Sequence, residues 1–375
     1  MSMSAQPVEI DATKLKSAGK TYEYLDSLRF LAALLVVLNH LRVNQFASYS
    51  EVQASSAAMK TVFFCITRVG LEAVMLFFVL SGFLVGGISV ERFMSGKFDG
   101  VKYFIDRFTR IYTPFVPALS ITIGLCIWYG IPFAWPEALL NLASLQGILC
   151  EPFSGNTSLW SLSYEVWFYL LCGALLTLFK AEDARTKALM FLLVCVCALA
   201  FSRMQIPYLF AWLIGLAAYF LRRLQVWFIW PTCIIITLSG LVLMQLTSRS
   251  EQIDLASYKY LDRSFAILCL ALGLGLLVAA LAHLQVQSPT LARINRIGGS
   301  LSQFSYSLYL LHIPAIVVLR HTGVLVRHEQ LNLHSLAAYA GNTCLIVGAS
   351  FGFYLLFERH TAKVRQLLYC RLAQS

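Results

Sequence analysis

Long apolar segments, separated by short polar stretches, follow one another along almost the whole chain. An α-helix needs about 20 apolar residues to cross the roughly 30 Å hydrocarbon core of a bilayer. Windows of that length predict membrane-spanning helices over residues 28–45, 70–91, 111–131, 158–179, 187–203, 206–222, 226–246, 263–284, 303–320 and 335–357. The pattern therefore predicts an all-α, polytopic membrane protein, built as a bundle of about ten transmembrane helices.

The composition of the chain favours the same fold class. Of the 375 residues, 58% are hydrophobic and 13% are charged, whereas a soluble domain carries about 25% charged residues. No polar stretch is long enough to fold as a separate soluble domain. We therefore divide the chain into a cytoplasmic N-terminal tail at 1–21, one membrane domain at 22–360 and a cytoplasmic C-terminal tail at 361–375.

The formal net charge of +10 comes from basic residues that lie mostly in the short loops between apolar segments. With the N-terminus in the cytoplasm, 19 lysine and arginine residues fall on the cytoplasmic side and 9 on the outer side. The positive-inside rule therefore predicts that both termini are cytoplasmic. Because membrane topology explains the basic charge, we expect contact with membrane lipids and not with nucleic acid.

Two polar residues, Arg29 and His40, lie in the first apolar segment. At about 100° and 1.5 Å per residue, the spacing places both side chains on one helix face, about 16 Å apart. Histidine suits a general base near neutral pH, although a structural histidine bonded to a neighbouring helix explains it too. Arg29 suits contact with an anion; alternatively it reaches the headgroups or pairs with Asp26. Polar groups inside a bilayer predict a pathway or an active site by default.

A second basic pair, Arg107 and Arg110, stands at the cytoplasmic start of the third predicted helix. Three residues apart, the two side chains share a helix face and present forked donors that suit phosphate. Ordinary positive-inside anchoring explains the same two residues. The sequence alone leaves both alternatives open.

The fourth predicted helix carries an acid, Glu165. A carboxylate inside a bilayer costs roughly 2 to 3 kcal/mol or more, so it predicts a partner or water in the bundle interior. Its distance from the outer boundary places Glu165 in the outer half of the membrane, together with His40. Trp160, Ser163 and Tyr164 precede it and are candidates to bind substrate. An interfacial aromatic belt explains the aromatic residues but not the acid.

In the ninth predicted helix, Tyr306, Tyr309 and His312 recur at three-residue spacing on roughly one face. They are candidates to line a substrate cavity, and hydrogen bonding between helices is the alternative. In the second predicted helix, Ser81 and Gly82 favour close helix approach over a direct role.

The outer connection from 132 to 157 has no lysine or arginine and predicts a lid or a re-entrant element. Cys65 and Cys150 fall near predicted outer loops and are candidates for a disulfide. Most of the ten cysteines lie in apolar runs, where cysteine behaves as a small hydrophobic residue. No set of histidine, cysteine or carboxylate residues has metal-ligand spacing, so no metal is expected.

Five motifs occur in order along residues 22 to 360. They are Leu25-Asp26-x-Leu28-Arg29 through His40, Phe78-Val79-Leu80-Ser81-Gly82-Phe83-Leu84, Arg107-x-x-Arg110-x-Tyr112-x-Pro114, Trp160-Ser161-Leu162-Ser163-x-Glu165 and Tyr306-Ser307-x-Tyr309-x-x-His312. Together they resemble the acyltransferase family 3 membrane proteins, which modify extracytoplasmic glycans. Each motif alone is weak, but five in the family's order are specific.

The resemblance implies a membrane O-acyltransferase that uses cytoplasmic acyl-CoA, by default acetyl-CoA, to acylate a sugar hydroxyl on the outer side. It implies an exopolysaccharide, an O-antigen or a lipid-linked oligosaccharide as acceptor, and the bacterial inner membrane as location. His40 is then the catalytic base and Glu165 the membrane acid, while Arg29, Arg107 and Arg110 bind the acyl-CoA.

Two features differ among members of that family. Many members have a glycine after the arginine of the first motif, where this chain has Phe30, and the difference should alter packing more than chemistry. Some members carry a hydrolase-like domain after the membrane part, whereas this chain ends at Ser375. We therefore expect the lone-domain class.

The alternative from another class is a transporter or flippase for a glycolipid or a small anion. Arg29, His40 and Glu165 would then form a relay or a substrate site. A transporter moves an unmodified substrate, whereas the enzyme consumes acyl-CoA. A non-catalytic scaffold explains none of the intramembrane charges. Whether the protein forms a homodimer is left open.

Overall fold

The computed structural model describes residues 23–222, 229–247, 263–282 and 288–372. The predicted N-terminal tail, 1–21, lies outside the described residues. Within these ranges the chain is almost entirely helical. This architecture confirms the prediction of an all-α, polytopic membrane protein.

The helices follow one another with mostly short connections. They are α1 (Glu23–Gln45), α2 (Ala57–Thr67), α3 (Gly70–Ser81), α4 (Ile88–Met94), α5 (Gly100–Tyr129), α6 (Trp135–Leu142), α7 (Trp160–Lys180), α8 (Ala184–Arg203), α9 (Ile206–Leu221), α10 (Ile229–Thr247), α11 (Arg263–Leu281), α12 (Pro289–Ser302), α13 (Ser305–His321), α14 (Leu333–Leu356) and α15 (Thr361–Leu372). A π-helical turn, Gly82–Gly87, joins α3 to α4, and 3₁₀ turns cover Thr157–Leu159 and Glu358–His360. Two short strands, β1 (Gln53–Ala54) and β2 (Gln330–Leu331), pair in parallel.

Among the described residues, eight helical stretches are long and apolar enough to cross a membrane. The pair α12 and α13, bent by 58° at its junction, gives a ninth span. Helix α9, with 16 residues, is a shorter apolar helix. Each of the ten predicted segments therefore coincides largely with a helix. The cytoplasmic placement of both termini stays a prediction.

The helix formed by α3, the π-helical turn and α4 packs closely against α9. A Cβ atom at Gly82 would collide with the backbone carbonyl oxygen of Trp212, and one at Gly215 would collide with that of Val79. Glycine at both positions lets the two backbones approach each other, as small residues do at membrane helix contacts. The interpretation of Gly82 as a site of close helix approach is confirmed, and the contact fixes the position of Ser81 beside it.

A sharp bend separates α12 from α13 at Phe304. This residue is almost fully buried. Its ring packs edge-on against Phe30 of α1 and Phe351 of α14, at centroid distances of 5.7 and 5.4 Å. The bend therefore holds the beginning of α13 against α1 and α14, and it places the predicted site residues of α13 next to α1.

The connection from 132 to 157 folds back into the bundle, as predicted for a re-entrant element. Its polar residues Asn141, Ser144 and Gln146 are fully buried. The carbonyl oxygen of Ser144 accepts a hydrogen bond from Nε1 of Trp167 at 2.9 Å. Its hydroxyl lies 3.1 Å from the hydroxyl of Tyr112, near the middle of α5. The first two turns of α7 therefore pack against this segment.

The candidate disulfide between Cys65 and Cys150 does not form, because both are free thiols. Cys65 is exposed on α2, whereas Cys150 lies in the re-entrant connection, where Nδ2 of Asn141 donates to its sulfur at 3.5 Å. Partial burial and the carboxylates of Glu137 and Glu151 raise the pKa of Cys150. A raised pKa disfavours the thiolate and so makes this cysteine less reactive.

Candidate active site

A cavity of about 320 Å³ lies among α1, α3, α5, α7 and α13. Its charged residues are Arg29, Arg107, Arg110 and Glu165. The rest of the wall is mostly apolar, with several serine and tyrosine hydroxyl groups. Helices that are distant in sequence thus bring all four predicted charged residues into one space.

Two of the three arginines are held by carboxylates outside the cavity. Nη1 of Arg29 donates to Oδ1 of Asp26 at 3.0 Å, which confirms the predicted pairing. Nη1 of Arg110 donates to Oε1 of Glu358 at 2.8 Å. Each guanidinium keeps further N–H groups, because arginine has five donors.

Arg107 is held differently. Its guanidinium lies over the ring of Tyr169, 5.7 Å from the centroid. Its Nε is buried, and no acceptor among the described residues makes a hydrogen bond with it. Buried donors are rarely left without a partner, so an unpaired one calls for an explanation such as a missing ligand.

Glu165 is fixed by a chain of hydrogen bonds. Nε1 of Trp212 donates to Oγ of Ser81 at 3.2 Å, and that hydroxyl donates to the hydroxyl of Tyr169 at 3.1 Å. The hydroxyl of Tyr169 in turn donates to the carboxylate of Glu165. The three cavity arginines are the cations that act on this carboxylate. Hydrogen bonds and nearby cations together offset the cost of burying it.

Glu165 does not lie beside His40, and its depth in the membrane stays a prediction. It lies with Arg29 in the cavity, and Arg29 is about 16 Å from His40 along α1. The prediction counts residues from the start of α7, where the buried connection packs and Nε2 of Gln146 donates to the carbonyl oxygen of Leu159 at 2.9 Å. A direct contact between Glu165 and the His40 ring therefore has no geometric support.

His40 packs instead against His312 of α13, with ring centroids 5.1 Å apart and the ring planes inclined by 43°. His312 is fully buried, and its Nδ1 lies 2.6 Å from the backbone carbonyl oxygen of Tyr309. Because a carbonyl oxygen can only accept, Nδ1 carries the hydrogen and Nε2 presents a lone pair. Within the described ranges, no donor makes a hydrogen bond with that Nε2. His40, beside it, is half-buried.

Tyr309 connects the cavity with this histidine pair. Its side chain lines the cavity, and its hydroxyl donates to the carbonyl oxygen of Ser158 at 2.6 Å. Since the single hydroxyl hydrogen is used there, the hydroxyl of Ser161, 2.6 Å away, must donate to Tyr309. The cavity wall therefore connects the arginines with Tyr309, whose backbone carbonyl oxygen holds His312.

The structure separates the three predicted substrate residues of α7 from the cavity. Oγ of Ser163 donates to the carbonyl oxygen of Ser144 at 3.0 Å, which fastens the re-entrant connection. The hydroxyl of Tyr164 accepts the backbone N–H of Gln205 at 2.8 Å. Trp160 packs in an aromatic cluster. None of these three side chains lines the cavity formed by the described residues.

Two other residues of the wall were not among the predicted site residues, although Ser161 stands in the fourth motif. Ser161 and Tyr169 line the cavity with Glu165, at four-residue spacing on one face of α7. Because that spacing is visible in the sequence, it could have identified Ser161 and Tyr169 as candidates. Tyr306 lines the cavity as predicted, with the guanidinium of Arg110 5.7 Å from its ring centroid. The partner of Arg110, Glu358, has no comparable signal.

The wall fits an acyl-CoA in two respects. Forked guanidinium donors suit phosphate oxygens, and the buried Nε of Arg107 lacks an acceptor from the described residues. The apolar part suits an extended arm that ends in a thioester. In the described part of the chain, no group of three or more histidine, cysteine, aspartate or glutamate residues is placed to hold a metal ion.

A family model described as an acyltransferase domain matches residues 22–355. Among curated proteins, the acyltransferase MdmB of Streptomyces mycarofaciens is 32% identical over 155 residues, which cover 39% of this chain and 37% of that protein. The match therefore spans little more than a third of the relative's length. No solved structure matches the chain.

Proposed function

This chain belongs to the acyltransferase family whose domain matches residues 22–355; it is a multi-pass membrane acyltransferase, and we propose that it transfers an acyl group from cytoplasmic acyl-CoA to a sugar hydroxyl. The proposed acyl group is acetyl. The proposed acceptor is an exported or cell-surface glycan such as an exopolysaccharide, an O-antigen or a lipid-linked oligosaccharide, and the proposed location is the bacterial inner membrane. The observation that supports the proposal is the cavity, whose wall carries three arginines and Tyr309, with the ring of Tyr309 5.6 Å from that of His312 and His312 packed against His40.

In this proposal, Arg107 and Arg110 bind the phosphates of the coenzyme. Charge-assisted hydrogen bonds from arginine to phosphate are short and strong, and both arginines line the cavity. The predicted topology places the beginning of α5 on the cytoplasmic side, where the coenzyme is available. The acylated arm then extends past Arg29 along the apolar wall toward Tyr309.

The chemical step takes place at His40. The acceptor hydroxyl oxygen attacks the thioester carbonyl carbon while the imidazole removes the hydroxyl proton. The new C–O bond forms, the C–S bond breaks, and the histidinium returns the proton to the leaving thiolate. The products are an O-acylated sugar and coenzyme A with a free thiol, so atoms and charge balance. General-base catalysis of this kind typically contributes about 10²–10⁴-fold.

His312 orients the base in this scheme. Its Nε2 lone pair, which no donor of the described residues engages, would accept an N–H of His40 in the reacting complex and leave the other ring nitrogen of His40 as the base. The arrangement has the same logic as other acyl-transfer sites, in which a fixed acceptor sets the tautomer of the catalytic histidine. The ring contact of 5.1 Å and the fixed tautomer of His312 support this role.

Mass spectrometry of the surface glycan tests the proposal. Cells would carry the wild type, His40→Ala, or no copy of the gene. His321→Ala serves as a matched control, because His321 is an exposed histidine at the end of α13 that stacks on Tyr129. All variants would be compared at equal membrane abundance. We expect an acyl mass increment with the wild type and the control that is absent from the other two strains.

Two other results would count against the proposal. An increment that persists with His40→Ala would remove His40 from the chemistry. A glycan that keeps its acylation in every strain but falls in surface amount without the protein would indicate a transporter. The mass of the increment identifies the acyl group directly.

A further inference from the structure

A buried carboxylate, Glu358, lies in the short 3₁₀ turn between α14 and α15, just beyond the residues that match the family model. Its side chain is only 1% exposed. Oε1 accepts a hydrogen bond from Nη1 of Arg110 at 2.8 Å. Oε2 accepts two, from the backbone N–H of Ser307 at 3.0 Å and from its Oγ at 2.6 Å. Both carboxylate oxygens are therefore engaged, each with a different helix.

The bonds to Ser307 cap α13. This residue is the third of the helix, and the residue at the N-cap position is Phe304, whose side chain makes no capping hydrogen bond. The first N–H groups of a helix have no partner within it, and a negative charge near them is favourable. Glu358 thus supplies from another part of the chain the acceptor that the local sequence lacks. It also fixes the beginning of the helix that carries His312.

The bond to Arg110 acts on the cavity. Arg110 uses one Nη for Glu358, while its side chain stays 42% exposed and lines the cavity. The donors that remain can therefore meet a ligand there. Glu165, inside the cavity, also attracts Arg110. Without Glu358, Glu165 would be the carboxylate left to pair with Arg110, and the pair would withdraw that arginine from an incoming anion.

We infer that Glu358 is a positioning residue that holds Arg110 ready for the phosphates of the donor and at the same time ties this end of the site to the helix bearing His312. The inference rests on the proposed function, because it takes the donor to be an acyl-CoA. It assigns a role to a residue that touches neither substrate nor the reacting atoms. The inference also predicts the direction in which the affinity changes. If Glu358 only lowered the local positive charge, its removal would strengthen anion binding. If it holds Arg110 in place, its removal weakens that binding.

The test is the affinity of the purified protein for acetyl-CoA in four forms: wild type, Glu358→Gln, Arg110→Gln and the double variant. Glutamine keeps an oxygen that can accept from Ser307, but it loses the charge that holds Arg110. Ser307→Ala is the matched control, because it removes one bond of the cap and leaves the Arg110 pair. Thermal unfolding without ligand is measured for each. In membrane vesicles from expressing cells, thiol release gives KM for acetyl-CoA and kcat.

We expect Glu358→Gln to weaken acetyl-CoA binding by about tenfold and to raise KM with kcat changed by less than about twofold. Arg110→Gln should weaken binding at least as much, and the double variant should bind no more weakly than Arg110→Gln. Ser307→Ala should lower the unfolding temperature while leaving the affinity within about twofold.

The inference is overturned if Glu358→Gln binds acetyl-CoA as tightly as the wild type or more tightly. It is also overturned if the affinity loss of the double variant equals the product of the losses of the two single variants. In both cases the proposed donor site survives, because Arg110→Gln still weakens binding. If Arg110→Gln itself leaves the affinity unchanged, the donor site is wrong and the role of Glu358 falls with it.

Discussion

Replacing Tyr309 by phenylalanine tests how the wall between the arginines and the histidines is held. The change removes one buried hydroxyl that makes two hydrogen bonds of 2.6 Å, with the carbonyl oxygen of Ser158 and with Oγ of Ser161. Interhelical hydrogen bonds in membrane proteins are worth about 0.6 kcal/mol on average and up to about 1.7. Because both bonds are short and buried, we expect Tyr309→Phe to lower the free energy of unfolding by about 1 to 3 kcal/mol. Ser161→Ala breaks only one of them and should cost about half as much.

The measurement is equilibrium unfolding in mixed micelles of a mild detergent and dodecyl sulfate, followed by the fluorescence of the seven tryptophans. The double variant closes a cycle, and the loss for the pair should be smaller than the sum of the single losses, because both changes break the same bond. Acylation activity should stay within about tenfold of the wild type, since His312 is held by the backbone of Tyr309 and not by its hydroxyl.

Three results would refute this reasoning. A neutral Tyr309→Phe would mean that the hydroxyl holds nothing. A loss with Ser161→Ala as large as that with Tyr309→Phe would mean that the bond to Ser158 contributes nothing. An activity loss as large as that of a His40 variant would place the Tyr309 hydroxyl in the chemistry.

Three further predictions follow from single contacts. Arg107→Gln should weaken acetyl-CoA binding by at least about tenfold and lower the unfolding temperature only slightly, because it removes one of three cations that act on Glu165 but breaks no hydrogen bond of its Nε with the described residues. Gly215→Ala should destabilise the protein by about 1 to 3 kcal/mol, because the added Cβ collides with the carbonyl oxygen of Val79. A Cβ at Gly348 meets no atom of the described structure, so Gly348→Ala should leave the stability unchanged. Thermal unfolding measures both variants. His312→Ala should lower the rate of acylation by about 100-fold, measured by thiol release from acetyl-CoA in membrane vesicles.

Each of these predictions has a contrary result. An acetyl-CoA affinity that Arg107→Gln leaves unchanged would remove Arg107 from the donor site. Equal effects at the two glycines would remove the argument from close helix approach. An active His312→Ala would leave His40 to work without the orienting lone pair.

The sequence predicted the residues of the site better than their arrangement. Arg29, Asp26 and His40 lie on one helix, so the regular helix repeat suffices to place them relative to one another. The pairing of Arg29 with Asp26 is a local contact of this kind, and it is confirmed. The four-residue spacing of Ser161 and Tyr169 around Glu165 was equally accessible, but Ser161 was not chosen as a candidate and Tyr169 lies beyond the five motifs.

What the sequence by itself determined is the membrane-spanning fold, because burying twenty apolar residues per helix in a bilayer is a local requirement. Tertiary structure alone decided that Glu165 lies with Arg29 and not beside His40. It also decided the contact of His40 with His312 and the pairing of Arg110 with Glu358, which are 248 residues apart in the chain. Such contacts depend on how whole helices cross, and that depends on shape complementarity along their full length, which no short pattern records.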